Sequence, residues 1–330
     1  MDILETMRKK MPIYESNISK DVTLVEFATY WLDYRANDVK KSTLCSYRSA
    51  VNNHIGRVFQ SRKLSDISSE DVQLFSKSLS EGIGLTAPLS PKTVQNIHGV
   101  LHKCLQTAYE MKLIDENPAQ HTTLPKTKRP EIIPMNNTQL LAFLTAIKSQ
   151  PLETFFKLAV FTGLRKGELM GLTRDCLDFE EGCIHVYRQL SYDKLKRRYF
   201  FDTVKNGKPR IIYPADTIME MMREHISHSP NSNFVFCTEI GEHLKISQIR
   251  KPFERAMSKI HLSDFRFHDL RHTFAVISIK AGVDLKTLSE QMGHHSVAFT
   301  LDTYAFALTD MKVEGAKKLQ VYIDSLNIQI

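Results

Sequence analysis

The stretch Phe267-His268-Asp269-Leu270-Arg271-His272-Thr273-Phe274 decides how this chain is read. It carries two imidazoles and a guanidinium in one short segment. His268 and Arg271 are three apart and His272 is four from His268, so a helix would hold them on one face. Leu270, Phe274 and Ala275 would supply an apolar side. Fixed cationic donors on one face suit an anion with several oxygens, of which phosphate is the obvious candidate. A core helix with a satisfied histidine and a surface arginine fits the same residues as well, so the rest of the chain has to decide.

A chain of 330 residues exceeds one ordinary core and implies two domains. Its apolar content of 42% is that of a globular protein. No apolar run approaches the roughly 20 residues that span a bilayer, and the nearest, Phe155 to Leu164, is interrupted by Lys157. Met1 to Lys10 has charges but no apolar signal-peptide core, so the expected location is the cytoplasm. The five cysteines, Cys45, Cys104, Cys176, Cys183 and Cys237, are odd in number and lack CxxC spacing. They read as free thiols, neither a disulfide frame nor a zinc site. The net charge of +7 fits a polyanionic partner. Residues 1–125 hold 15 Lys and Arg against 14 Asp and Glu, and residues 126–330 hold 29 against 23, so the basic excess lies with the candidate site.

Residues 1–21 read as a short arm or tail. Helical signals then dominate residues 22–118. Thr23 caps a helix over Leu24 to Tyr34, a second runs from Ser42 to about Ile55, and Ser69-Glu70-Asp71 starts a third. Ser90-Pro91 opens a fourth that Asn117-Pro118 closes. Residues 119–134 form a basic linker containing Pro125, Pro130 and Pro134, semi-rigid in character. The second domain, 135–330, opens with helices at Asn137 to Ile147 and Pro151 to Phe161, the latter capped by Gly163. Arg165 then falls at a junction between helices, and Glu168 is placed to pair with it or brace the turn. Strands follow at Cys183 to Tyr187, Arg198 to Val204 and Arg210 to Tyr213. Asn206-Gly207 marks a hairpin turn between the last two, flanked by Lys205 and Lys208. Helices resume at Asp216 to His225, Ser247 to Lys259, Phe267 to Lys280 and near Leu285, the last closed by Gly293, and His294-His295-Ser296, Val297 to Thr303 and Tyr304 follow. A last helix starts at about Asp310, with Val313, Leu319 and Ile323 as its apolar positions.

Four segments in this order carry a resemblance. Thr162-Gly163-Leu164-Arg165-Lys166-Gly167-Glu168-Leu169 resembles the first arginine box of the tyrosine recombinases, the phage-integrase family, and His268 to Phe274 resembles its second box. Met292-Gly293-His294 is similar to the family's LGH step, with Met for Leu. Leu301-Asp302-Thr303-Tyr304 resembles the segment bearing its nucleophile. The likeness covers the second domain throughout, and the first resembles the family's helical core-type DNA-binding domain.

The resemblance implies a mainly α fold with a small antiparallel β-sheet: a core-binding domain followed by a catalytic domain with a C-terminal tail. It implies a site-specific recombinase, most similar to integrases of bacterial mobile elements. Tyr304 would attack a DNA phosphodiester to form a 3′-phosphotyrosyl bond. Arg165 and Arg271 would hold the non-bridging oxygens, His268 and His294 would bond the phosphate or move the tyrosine's proton, and Lys205 would protonate the leaving 5′-oxygen. The covalent link conserves the energy of the broken bond, so no cofactor and no metal are expected. The implied partner is double-stranded DNA, bound by a homotetramer on paired sites and by a monomer or weak oligomer without DNA. Accessory directionality or DNA-bending proteins belong to the same expectation, and membrane does not. His268 and His272 also have the HxxxH spacing of a zinc pair, but residue 269 is Asp where zincins have Glu, and no third ligand suggests itself. Two other function classes remain: a type IB topoisomerase-like enzyme, and a non-catalytic DNA-binding protein on the same fold.

Overall fold

The computed structural model describes residues 21–84, 87–127, 132–193, 196–204, 208–294, 296–304, 316–317 and 319–326. The chain divides into two compact units, Met1–Pro130 with Tyr192–Arg198, and Glu131–Ser191 with Tyr199–Ile330. Most of the expected arm, the centre of the linker, Lys205 with the Asn206-Gly207 turn, and the start of the last helix lie outside the described residues.

The first unit is helical. Helix α1 (Leu24–Tyr34) begins at a reciprocal cap in which Thr23 and Glu26 bond each other's backbone N–H, satisfying donors that a first turn leaves open. Helix α2 (Lys41–Ala50) passes through a π-turn (Val51–Ile55) into α3 (Gly56–Phe59). The single helix expected from Ser42 to Ile55 is thus widened where Asn52, Asn53 and His54, weak helix formers, replace stronger ones. Helix α4 (Ser69–Glu81) starts at the Ser68/Asp71 cap, and α5 (Pro91–Glu110) starts at Ser90 with Pro91 at its first position. Their apolar faces bury Phe27, Trp31, Ile55, Phe75, Leu101 and Leu105. Trp31 stacks on Tyr47, its indole N–H bonds Thr107 Oγ1 at 3.0 Å, and Tyr47 OH accepts from Lys103 at 3.0 Å, so the polar ends of both rings are satisfied.

The second unit packs helices around a small sheet. Helices α6 (Asn137–Ile147), α7 (Glu153–Thr162) and α8 (Lys166–Met170) precede strands β1 (Leu177–Asp178), β2 (Cys183–Val186), β3 (Arg188–Asp193), β4 (Arg198–Thr203) and β5 (Arg210–Ile212). Helices α9 (Asp216–His228), α10 (Ile246–Lys259), α11 (Asp269–Lys280), α12 (Leu285–Met292) and α13 (Val297–Tyr304) follow. Phe143, Phe155, Phe156, Phe253 and Phe267 interlock edge to face at its centre. Residues 319–325 are helical.

The strand pairing differs from expectation. Strands β4 and β5 do not pair as one hairpin: β4 pairs with β3, while β5 joins β1 and β2 in an antiparallel sheet of order β1-β2-β5. The apolar register explains the choice. Ile212 faces Ile184 across the ladder, and both are buried, so β5 gains a core-facing pair on β2 that the half-exposed β4 does not offer. The sequence signal for β3 is weak because Leu190 is its one buried apolar residue.

Candidate active site

The site is built at the meeting of α7, α8, β5, α11 and the turn after α12. Helix α7 stops on Gly163, whose φ is +62°. A Cβ there would stand 2.4 Å from Phe274 Cδ1, so glycine is needed both for the left-handed turn and for the approach of α11. Arg165 follows in extended conformation ahead of α8. Glu168 turns back on it, accepting from Arg165 N at 2.9 Å and from Arg165 Nη1 at 2.9 Å. The other terminal nitrogen of Arg165 donates to Gly293 O at 2.9 Å. On α11, Arg271 is buried and donates to Gly163 O at 2.6 Å and to Met292 O. These carbonyls end α7 and α12, so one guanidinium ties two helix termini together.

A third guanidinium completes the cluster. Arg210, at the start of β5, donates to both oxygens of Glu168, at 3.0 and 2.8 Å, and through Nε to Gln291 O at 2.6 Å. Burial would raise the Glu168 carboxyl, but the hydrogen bonds and charge of Arg210, together with Arg165, outweigh it and hold the group at about 2. Burial and the neighbouring Arg165 pull Arg271 down to about 9, against the opposing charge of Glu168. Three guanidiniums therefore face one carboxylate in a largely buried space. The surplus of positive charge is what an anion with several oxygens would neutralise.

Tyr304, the last residue of α13, is 1% exposed. Its ring sits in an apolar nest of Ala275, Val276, Ile279, Leu288 and Met292. Burial pushes its phenol up to about 12, with Arg271 pulling the other way. The hydroxyl lies 2.8 Å from His272 Nδ1. The His294 ring lies nearly parallel to the Tyr304 ring at 6.4 Å, and its Nδ1 shares a 2.7 Å hydrogen bond with Thr300 Oγ1. His268 immediately precedes α11, and its ring stands edge-on to His272 at 5.3 Å. Burial lowers His268 to about 4, helped by His272 and Arg271. Burial and the charges of Arg271 and Arg165 lower His294 to about 3. Both rings are neutral at pH 7 and gain a proton readily only when negative charge arrives beside them.

Of the residues singled out from sequence, Arg165, His268, Arg271, His294 and Tyr304 come together here. Lys205 lies outside the described residues. Sequence reasoning missed Arg210, read merely as the first residue of a strand. A charged residue opening an otherwise apolar Arg-Ile-Ile-Tyr segment was the available signal. It also left His272 outside the site, although its spacing from His268 had put the two on one face. Among the described residues, Asp178, Cys183 and His185 are the group able to offer ligand atoms to a metal, within 4.8 Å of one another on β1 and β2. They share no residue with the arginine cluster, and Asp178 Oδ1 already accepts from the backbone of Glu180 and Glu181.

A buried phenol beside a nest of guanidiniums and neutral imidazoles is an arrangement suited to reaction at an anionic ester such as a phosphodiester. Residues 134–310 match the phage integrase family, and residues 23–80 match the phage integrase N-terminal SAM-like domain. The chain belongs to the phage integrase family and is an enzyme of the tyrosine recombinase class. A XerC-like tyrosine recombinase of Caldanaerobacter subterraneus subsp. tengcongensis is 25% identical over 332 residues, covering 91% of this chain and 83% of that protein. The Tn1549 transposon integrase in complex with a circular intermediate DNA matches with a TM-score of 0.75 at 23% identity, over 90% of this chain and 99% of that one. The lambda integrase tetramer bound to a Holliday junction matches with a TM-score of 0.64 at 19% identity, over 89% and 85%. No helix among the described residues is long and apolar enough to cross a membrane.

Proposed function

We propose that this recombinase cuts and rejoins duplex DNA with Tyr304 as its nucleophile, and that it integrates or excises a mobile element. The observation that carries the assignment is the buried excess of guanidinium charge, Arg165, Arg210 and Arg271 against Glu168, beside the buried Tyr304 hydroxyl. Arg165 and Arg271 receive the non-bridging oxygens of the scissile phosphate. The terminal nitrogens of Arg271 are aimed by two backbone carbonyls and those of Arg165 by Glu168 and Gly293 O, so little reorganisation is needed when phosphorane charge develops. His268 and His294 lie neutral beside them and hydrogen-bond the phosphate, and Lys205 gives the departing 5′-oxygen its proton. A 5′-hydroxyl of another strand then attacks the phosphotyrosyl bond, which makes the reaction an exchange.

Residues 22–118 serve as the core-type DNA-binding domain, residues 119–134 as the basic linker and residues 135–330 as the catalytic domain. The enzyme works in the cytoplasm, as a homotetramer on paired sites, with accessory bending or directionality proteins acting on the DNA. The lambda integrase tetramer on a Holliday junction supports that assembly. So do the exposed Leu319, Val321 and Tyr322 of the C-terminal segment, an apolar strip suited to a neighbouring protomer.

The test is covalent trapping. Nicked suicide duplexes tiled across the DNA flanking the gene are incubated with the protein without metal and resolved on denaturing gels. A protein–DNA adduct that disappears in Tyr304→Phe is the expected result. Firm binding by gel shift with no adduct on any duplex would replace this reading with that of a non-catalytic DNA-binding protein.

A further inference from the structure

We propose that His272 is a catalytic residue, the base that accepts the phenolic proton of Tyr304 through Nδ1 as the tyrosine attacks. The inference rests on the reading of Tyr304 as nucleophile. It starts from geometry: the rings of His272 and His294 flank this tyrosine, with His268 against His272, and their nitrogens have different employment. His294 commits Nδ1 to Thr300 Oγ1 at 2.7 Å. His268 lies one turn back, edge-on to the His272 ring. His272 Nδ1 meets the hydroxyl itself, at 2.8 Å.

The direction of that hydrogen bond follows from the two partners. Burial pushes the phenol up to about 12, so Tyr304 is protonated at neutral pH and has one O–H to donate. Burial lowers His272 from its ordinary range, against the opposing charge of Asp269. The ring is therefore neutral, with one nitrogen free to accept. Nδ1 is that acceptor and the proton of the ring sits on Nε2. The groups facing His272 are Asp269, Arg271, Arg266 and the His268 ring from its own segment, Tyr304 from α13, and His294 from the turn after α12. Arg271 also acts on Tyr304, favouring the phenolate as it forms.

The step balances. The Tyr304 oxygen forms a bond to phosphorus while the bond from phosphorus to the 5′-oxygen breaks. The phenolic proton passes to His272 Nδ1, and the 5′-oxygen takes its proton from the general acid assigned above. On religation the 5′-oxygen displaces the tyrosine, and His272 returns the proton to it.

The experiment uses the full-length chain and the nicked duplex located by trapping, under single turnover across a range of pH. His272→Asn keeps an acceptor oxygen near the place of Nδ1 but cannot take up a proton. Loss of a general base predicts adduct formation slowed by about 10²–10⁴-fold at pH 7. The variant's rate should then climb about tenfold per pH unit, as hydroxide replaces the base. Replacing Tyr304 by a fluorinated tyrosine, whose phenol is more acidic, should restore much of the rate in His272→Asn and none in Arg271→Lys. A purely structural role for His272 would not respond to phenol acidity. His272→Gln provides the second variant, and gel shift on the same duplex confirms that each still binds. A rate within about threefold of wild type at pH 7, or a loss independent of pH and of phenol acidity, overturns the proposal. A wild-type protein that forms no adduct, or an adduct that survives in Tyr304→Phe, removes the nucleophile assignment and this inference with it. Failure in the His272 variants alone leaves that assignment standing.

Discussion

At the scale of single residues, Arg271 shows how a charge can be buried and still be available. Both of its terminal nitrogens donate to backbone carbonyls, Gly163 O and Met292 O. Those bonds hold the fork in place but leave its positive charge unneutralised, because a carbonyl is not an anion. A lysine at this position would carry the same charge as a compact ammonium, unable to bridge both carbonyls and still face two phosphate oxygens. Arg271→Lys should therefore slow adduct formation about 10²–10³-fold. Binding of the same duplex should change little, since affinity is spread over many phosphate contacts. Single-turnover cleavage alongside gel shift checks both halves, and a near-normal cleavage rate would remove Arg271 from phosphate recognition.

At the scale of elements, the site depends on how closely α7 and α11 approach. Gly163 permits that approach, and its carbonyl is also a ligand of Arg271. In Gly163→Ala the new Cβ would collide with Phe274 at a left-handed φ, a double penalty of about 2–3 kcal/mol. Urea unfolding should show the loss as a lower midpoint, and adding Phe274→Leu should recover part of it. No recovery would mean that the backbone angle alone carries the cost. The elements also show what was legible beforehand. Caps at Thr23, Ser68 and Ser90, and glycine stops at Gly163 and Gly293, are local devices, and the sequence displays them directly. The arginine boxes could be read because each is contiguous. Arg210 could not, because its role depends on β5 pairing with β2, which brings it to Glu168 from 42 residues away. The pairing itself turned on Ile184 meeting Ile212, a long-range choice that the strong Asn206-Gly207 turn signal obscured. His272 was visible as a neighbour of His268, but only the fold shows which of the two meets the tyrosine.

At the scale of the whole molecule, the concentration of charge that suits the site to DNA also makes the fold sensitive to acid. Glu168 holds two guanidiniums with a carboxyl at about 2, below its ordinary 4.5. A folded value below the unfolded one means that its stabilisation is complete above pH 4.5 and is lost as pH falls from 4.5 toward 2. At about 1.4 kcal/mol per pH unit this amounts to about 3 kcal/mol. His268 and His294 act in the same direction but earlier. Their folded values of about 4 and about 3 lie below the ordinary 6.5, so the unfolded chain binds protons first as pH falls through 6.5. Stability should therefore begin to decline near pH 6.5, and decline further below 4.5, where Glu168 joins. Urea midpoints across this range are the measurement. Glu168→Gln should be less stable at neutral pH, because it leaves the arginines without their counter-charge. Its curve should also fall less steeply below pH 4.5, while keeping the upper limb. Bound DNA should oppose the upper limb, since a phosphate between the arginines favours the protonated rings that burial and the guanidiniums disfavour. A midpoint that stays level from pH 7 to pH 4 would mean that the imidazoles are not held neutral by burial and the guanidiniums. The electrostatic account of the site would then have to be rebuilt without them.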